Sequence, residues 1–398
     1  MKRRTFIKTS ALATATLYLP NFLKASEEVL KTTTNKKLIV IQLAGGNDGL
    51  NTVVPYNNDL YYKARPQISI PKNEVLPLDA SLGLHPMMTE IMDLYNDGSV
   101  ALINNVGYPE PDRSHFRSMD IWQSASGSRE YIASGWLGRF HDLQNSFSAN
   151  DTLLLEIDDS LSLASKGNSS NGLALKDPKK LFNEVSTPFI TQLGKNYTAT
   201  ADHNHDNVSY LYQTLSATIS SAKYIYQTSK IFHSALSYPD HEFGHSMKTI
   251  AELIISGVNT SVYYVTLGGF DTHFNQKKRQ ENLFKQLSET ISIFMKDMKA
   301  NGKIDDVLAF TFSEFGRRVQ ENASEGTDHG TANQIFFFGG GLKQKGILND
   351  GPNLSDLDNG DLKYTVDFRH IYATILRKWL NANDNLILGN SFPYLSFV

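Results

Sequence analysis

Short, almost unbroken apolar runs recur along this chain, each closed by glycine or polar residues. They are Leu38 to Leu43 (LIVIQL), Val100 to Val106 (VALINNV), Ser261 to Leu267 (SVYYVTL), Val307 to Phe312 (VLAFTF) and Ile335 to Phe338. Runs that are apolar throughout, without alternation, predict strands buried on both faces, as in a parallel sheet. Between them the apolar residues take helical spacing. Met88, Ile91, Met92, Leu94 and Tyr95 follow Pro86, and Leu283, Phe284, Leu287, Ile291, Phe294, Met295 and Met298 form one long stripe. Ser209 to Phe232, Gly244 to Ile255 and Phe368 to Leu380 also read as helices, with Trp379 packing. Residues 144–185 are rich in Ser, Asn, Asp and Lys and predict loops or an insertion. Strands alternating with helices give an α/β fold, mainly a parallel sheet with helices on both faces.

The strand ends carry the candidate chemistry. Leu38 to Leu43 runs into Gly45-Gly46-Asn47-Asp48-Gly49, Ser261 to Leu267 into Gly268-Gly269-Phe270-Asp271-Thr272-His273, and Val307 to Phe312 into Ser313-Glu314-Phe315-Gly316. Asp328-His329-Gly330 comes next, before Ile335. Ligands of open α/β sheets bind in the crevice outside the strand ends. Taken alone, Asn47-Asp48-Gly49 is a turn tripeptide. Placed after strands, Asp48, Asp271, His273, Glu314, Asp328 and His329 are expected to gather at one rim. Carboxylates that meet there repel one another, and a divalent cation removes the conflict. Ser114 opens a helical stretch after Pro109, Pro111, Asp112 and Arg113, as a plain N-cap or as a hydroxyl poised beside unpaired N–H groups. His85, before Pro86, reads as a structural or rim histidine rather than a ligand. The acids between Asp350 and Asp361 lack calcium-loop spacing and read as solvated.

At 398 residues, 40% hydrophobic and 20% charged, the chain can bury a large core as one domain with insertions or as two. It has no cysteine, which excludes disulfides, thiolate metal sites and a cysteine nucleophile. The first 25 residues carry five of the 38 Lys and Arg and no acid, leaving 33 basic against 41 acidic residues beyond them. That balance argues against nucleic acid as the main partner. Met1 to Lys8 is basic, Ala11 to Leu19 is modestly apolar, and Ala25 is a small residue at a possible cleavage point. This is a targeting layout, and Arg3-Arg4 followed by Phe6 and Lys8 resembles a twin-arginine export signal. The apolar part is too short for a stable membrane span. Residues 26–37 read as a polar linker, with the folded domain over 38–398.

GGNDGLN, PDRSHF, GGFDTH, SEFGRR and DHGTAN, in this order behind that leader, resemble the "domain of unknown function 1501" family of the alkaline phosphatase-like superfamily. The resemblance implies an alkaline phosphatase-like α/β fold with one or two divalent ions (Zn, Mn, Mg or Ca) at the strand ends. It implies Asp48, Asp271, His273, Glu314 and His329 as metal ligands. Arg113, Ser114 and His115 become the catalytic candidates, with Ser114 matching the nucleophile, and Asn47, Asp328 and Arg317 support the ligands. Arg317 or Arg113 would clamp an anion. Phe315 stands where the superfamily pattern has a histidine beside the acid. The implied function is an exported, metal-dependent hydrolase of a phosphate or sulfate ester of a small molecule or glycan, carried out by the twin-arginine machinery to the periplasm or beyond. The alternative is a catalytically silent exported binding protein on the same fold.

Overall fold

The computed structural model describes residues 35–145, 152–197 and 206–398. The leader and most of the polar linker lie outside the described residues. The main sheet contains β1 (Lys37–Ala44), β2 (Val100–Gly107), β3 (Leu154–Glu156), β4 (Leu173–Ala174), β5 (Val262–Gly268), β6 (Val307–Phe312), β7 (Asn333–Phe338), β8 (Gly346–Ile347) and β9 (Val366–Asp367). Their order is β8-β2-β7-β6-β1-β5-β3-β4, with β9 also paired to β2. The centre is β1, parallel to β5 on one side and β6 on the other, with Ala44 level with Gly268 and Gln42 level with Phe312. The carboxyl ends of these three strands therefore share one rim.

β7 alone among the described strands of this sheet runs against its neighbours β6 and β2. This alters the expectation for Asp328 and His329. They do not follow a strand; they precede an antiparallel one, whose amino-terminal end lies at the same rim as the carboxyl ends of β6 and β2. β2 runs the same way as β6 and β1, so Arg113, Ser114 and His115, which follow it, reach that rim too.

Alternate residues of β1 feed two cores, as a period of two demands. Ile39, Ile41 and Leu43 pack with α1 (Thr89–Asn96), α4 (Glu242–Ile255) and α5 (Gln276–Ala300), whose Phe284, Leu287, Ile291, Phe294 and Met298 form the predicted stripe. Leu38 and Val40 face the other side, toward α2 (His115–Ser124), α3 (Trp136–Asn145) and α6 (Phe368–Thr374). The stretch read as loops near 144–185 holds more order than expected, because β3 and β4 extend the sheet beyond β5 and a helix follows at Pro178–Val185. The last predicted helix continues from α6 as a π-helical turn over Ile375–Trp379, and a short helix, Asp384–Leu388, comes after it. No helix of the described residues is long and apolar enough to cross a membrane.

His85 is a packing residue. It is 1% exposed, its ring lies 4.9 Å from that of Phe284, and its Nδ1 accepts the Met87 N–H at 3.1 Å. Burial, and then the charge of Lys277, push its pKa down to about 3. The unfolded chain protonates this histidine near pH 6.5, whereas the folded chain holds it neutral to about pH 3. Stability tied to His85 is therefore complete above pH 6.5 and falls as the pH drops through that window. Urea unfolding of His85→Met should show a flatter acid limb than the wild type between pH 6.5 and 4; parallel limbs would contradict this account.

Candidate metal centre

Three imidazoles meet on one carboxylate oxygen. Asp271 Oδ1 lies 3.1 Å from His273 Nε2, 3.5 Å from His329 Nε2 and 3.6 Å from His115 Nε2. His273 Nε2 and His329 Nε2 are 2.9 Å apart. The residues come from three different strand ends: His115 from beyond β2, Asp271 and His273 from beyond β5, and His329 from before β7. The approach of the first strand's turn to Asp271 needs Gly45 (φ 120°) without a side chain. A Cβ there would stand 2.3 Å from the Asp271 nitrogen.

Each imidazole is held through its other nitrogen. His329 Nδ1 donates to the Arg113 carbonyl at 2.8 Å, an acceptor that fixes the proton on Nδ1. His115 Nδ1 lies 3.0 Å from Glu314 Oε1, which also accepts the Gly45 N–H at 2.8 Å. His273 Nδ1 lies 3.3 Å from Asp328 Oδ1. With Nδ1 donating in all three, the Nε2 lone pairs point inward. Imidazoles oriented in this way by an outer oxygen are the usual form of metal ligands.

The spacing agrees. Zinc bonds to imidazole nitrogen and carboxylate oxygen measure about 2.0–2.2 Å, which sets ligand atoms of a tetrahedral site roughly 3.3–3.5 Å apart. The contacts above run from 2.9 to 3.6 Å, and ligand atoms of His115, Asp271 and His329 all lie within 4.8 Å of one another. His273 stands outside that group of three but lies against two of its members, Asp271 at 3.1 Å and His329 at 2.9 Å. Three imidazoles favour zinc-like ions over magnesium or calcium, which prefer all-oxygen sites.

Charge is arranged to match. Burial would raise the Asp271 carboxyl, but the Arg317 hydrogen bond and charge, with His273 and His115, outweigh it and hold the group below its usual range. The Glu314 hydrogen bond raises the pKa of His115 against the effect of burial, while burial lowers that of His329. The Asn322 hydrogen bond, helped by His273, keeps Asp328 ionised to lower pH than usual.

Several expected ligands have other tasks. Asp48 is fully buried and its carboxylate is occupied: Arg65 Nη1 lies 2.5 Å from Oδ2 and Nη2 3.0 Å from Oδ1, while Gln276 Nε2 and the Leu50 N–H also donate to it. It caps a short helix (Gly49–Thr52) and pairs with Arg65 rather than facing the three imidazoles. Glu314 orients His115 instead of joining the ring of Nε2 atoms. His115, from a distant part of the chain, stands beside Glu314, and Phe315 packs its ring 4.9 Å from His115 and 4.5 Å from His329.

Arg317 is no anion clamp. It is 2% exposed, donates to the carbonyls of Gly45, Gly46, Phe270 and Thr327, and holds Asp271 Oδ1 at 2.7 Å. Asn47 is buried beneath the centre, its N–H on Ser313 Oγ and its amide on Thr52. Ser114 is exposed next to His115 at the start of α2, and its hydroxyl caps no backbone N–H. No local pattern in the sequence marks His115 as a companion of Asp271 and Glu314, because which segment packs beside them is invisible in the order of residues.

A family profile described as "Protein of unknown function (DUF1501)" matches residues 35–390. The chain belongs to this family. Among solved structures, this DUF1501 chain is similar to a sulfatase, PsFucS1, from Pseudoalteromonas sp. (10% identity, 90% of this chain and 70% of that one, TM-score 0.39). It is also similar to the lipoteichoic acid synthase LtaP from Listeria monocytogenes (9% identity, 79% and 68% covered, TM-score 0.35). A third likeness is to the C-terminal periplasmic domain of EcEptC from Escherichia coli in complex with Zn (9% identity, 77% and 74% covered, TM-score 0.34). A comparison with curated proteins finds no match.

Proposed function

We propose that this DUF1501 protein is an exported, metal-dependent hydrolase of phosphate or sulfate esters. The observation that carries this reading is the set of three inward-facing Nε2 atoms around Asp271 Oδ1. Three imidazole nitrogens within 3.1 to 3.6 Å of one carboxylate oxygen are a donor set that suits a divalent cation. His115, His273, His329 and Asp271 would hold one zinc-like ion, with Arg113, Asp328, Glu314 and Arg317 keeping them in place. Such an ion acidifies a hydroxyl or water and stabilises negative charge on an ester oxygen.

The chain's own residues supply the rest. Ser114, exposed and next to His115 in the chain, has a hydroxyl with no capping duty and would serve as the nucleophile toward an ester. The Glu314–His115 pair fixes the proton on His115 Nδ1. Asp271 is 49% exposed at its side chain, so the centre is open to solvent and substrate on one side. The expected experiment is turnover of 4-nitrophenyl phosphate or 4-nitrophenyl sulfate by zinc- or manganese-loaded protein, lost on chelation and reduced at least about 100-fold in Ser114→Ala. Metal-loaded protein that hydrolyses neither ester, or Ser114→Ala at wild-type rate, would overturn the assignment.

Export is supported by the layout of residues 1–25, which lie outside the described residues. Fractionation of cells expressing the full chain should find the protein beyond the cytoplasm, and Arg3→Lys with Arg4→Lys should retain it inside. Equal distribution of both forms would remove the twin-arginine route.

A further inference from the structure

Two arginines beside the centre share one buried carboxylate, that of Asp361. The hairpin formed by Leu357–Asp358 and Asp361–Leu362 turns on Asn359 (φ 52°) and Gly360 (φ 87°), the favoured pair for a two-residue turn. It drives Asp361 inward until it is 0% exposed, contrary to the expectation that the acids of this stretch are solvated. Arg113 Nη2 bonds to Asp361 Oδ2, and Arg318 Nε lies 3.2 Å from Oδ1. Arg318 Nη2 also donates to the Asn359 carbonyl at 2.6 Å. The arginine side chains themselves stay 45% and 39% exposed. Two guanidinium groups on one carboxylate leave an excess positive charge facing solvent.

Both arginines are tied to the metal centre through their backbones. The Arg113 carbonyl holds His329, and the Arg318 N–H donates at 3.0 Å to the carbonyl of Asp328, whose side chain holds His273. A groove of about 550 Å³ adjoins Arg318, lined also by Lys63, Glu321, Asn322, Asp328 and Asn359 among others, while Arg113 stands on the other side of Asp361 outside its lining. Arg317 cannot serve an incoming anion, since its donors are already taken. Arg113 and Arg318 keep free donors, and their charged ends lie a full side chain away from the imidazoles they support.

We propose that Asp361 is a positioning residue that presents Arg113 and Arg318 to a second anionic group, one carried on the alcohol part of the ester. The substrate is then an ester of an alcohol that is itself anionic, such as a multiply sulfated or phosphorylated sugar. The leaving alcohol lies along the groove, and the reacting group lies over the three imidazoles. This rests on the ester-hydrolase reading above. Forked guanidinium donors suit sulfate, phosphate and carboxylate alike.

The test separates this proposal from that reading. In a His273→Asn background, which cripples the metal centre, inorganic pyrophosphate binding is measured by calorimetry, with urea unfolding as the check on folding. Arg318→Gln and Arg113→Gln should each weaken it about tenfold or more, since a charge-assisted hydrogen bond contributes roughly 1.5–3 kcal/mol. Arg318→Lys, which keeps the charge without the fork, should fall between wild type and Arg318→Gln. In metal-loaded protein otherwise wild type, Arg318→Gln and Asp361→Asn should raise KM for a sugar bisphosphate without raising it for a neutral-alcohol monoester, leaving kcat unchanged. Pyrophosphate affinity indifferent to both arginine-to-glutamine changes in folded protein would overturn the proposal, even if esters are hydrolysed. Equal KM changes for the two esters would overturn it as well. Selective loss of pyrophosphate binding alongside a complete absence of ester turnover would uphold the anion site and defeat only the hydrolase reading.

Discussion

His329→Ala, and equally His273→Ala, should weaken zinc binding by more than about 100-fold in a competition titration with a chromogenic chelator, because losing a ligand exceeds the roughly 10–100-fold cost of losing an outer partner. Glu314→Ala removes such a partner, the acceptor for His115 Nδ1 at 3.0 Å, and belongs in that smaller range. Asp48→Ala should leave the affinity of the folded protein unchanged, since its carboxylate is closed off by Arg65, Gln276 and Leu50. Binding also stabilises the folded chain: zinc at 100 times its dissociation constant adds about 2.7 kcal/mol, visible as a rise in Tm that chelation reverses. Wild-type affinity in His329→Ala, or its loss in folded Asp48→Ala, would move the ion away from the three imidazoles and return it to the first strand.

The second large effect concerns Asp48 as a structural ion. Asp48→Ala leaves Arg65, 0% exposed, as an uncompensated buried cation whose other acceptors are Asn51 Oδ1 at 2.8 Å and the carbonyls of Arg318 and Val319 at 2.8 and 2.9 Å. Breaking a buried pair from one side costs about 3–5 kcal/mol, a large share of the stability of a typical domain. Urea unfolding should show a loss of that size. Asp48→Asn combined with Arg65→Met should lose less than the sum of the two single changes, because it removes both charges. A loss below about 1 kcal/mol in Asp48→Ala would show that the pair does not hold the first turn.

These two results bear on how far a strand-end acid can be read from its neighbours in sequence. Asp48 and Asp271 each follow a buried parallel strand and a glycine pair, and nothing in composition tells them apart. What separates them is the company each keeps in space. Asp48 turns inward to Arg65, while Asp271 stays 49% exposed with Arg317 behind it and three imidazoles around it. Asp361 makes the same point from the other direction. Among several acids in a polar loop it alone is pulled under two arginines, and the Asn-Gly turn before it was the available local signal.

The residue order by itself determined the buried strands, the helices between them and the rim on which the chemistry gathers, because unbroken apolar runs and helical stripes are local properties that survive any arrangement. It also marked Asp271, His273 and His329 as neighbours in chemistry, since each belongs to a segment adjoining a strand at that rim. Only the tertiary structure decided that β7 runs backward, so that His329 enters the rim ahead of its strand, and that the segment after β2 packs His115 against Glu314 and Asp271. The rim is assembled by contacts between residues far apart in the chain, as with His115 and Glu314, which lie 199 apart, and Arg113 and His329, which lie 216 apart. No period in the chain encodes which carboxylate meets an arginine and which meets an imidazole. That choice follows from packing, where an acid closed off in the interior needs a fixed cation and one at the open edge can accept an exchangeable one.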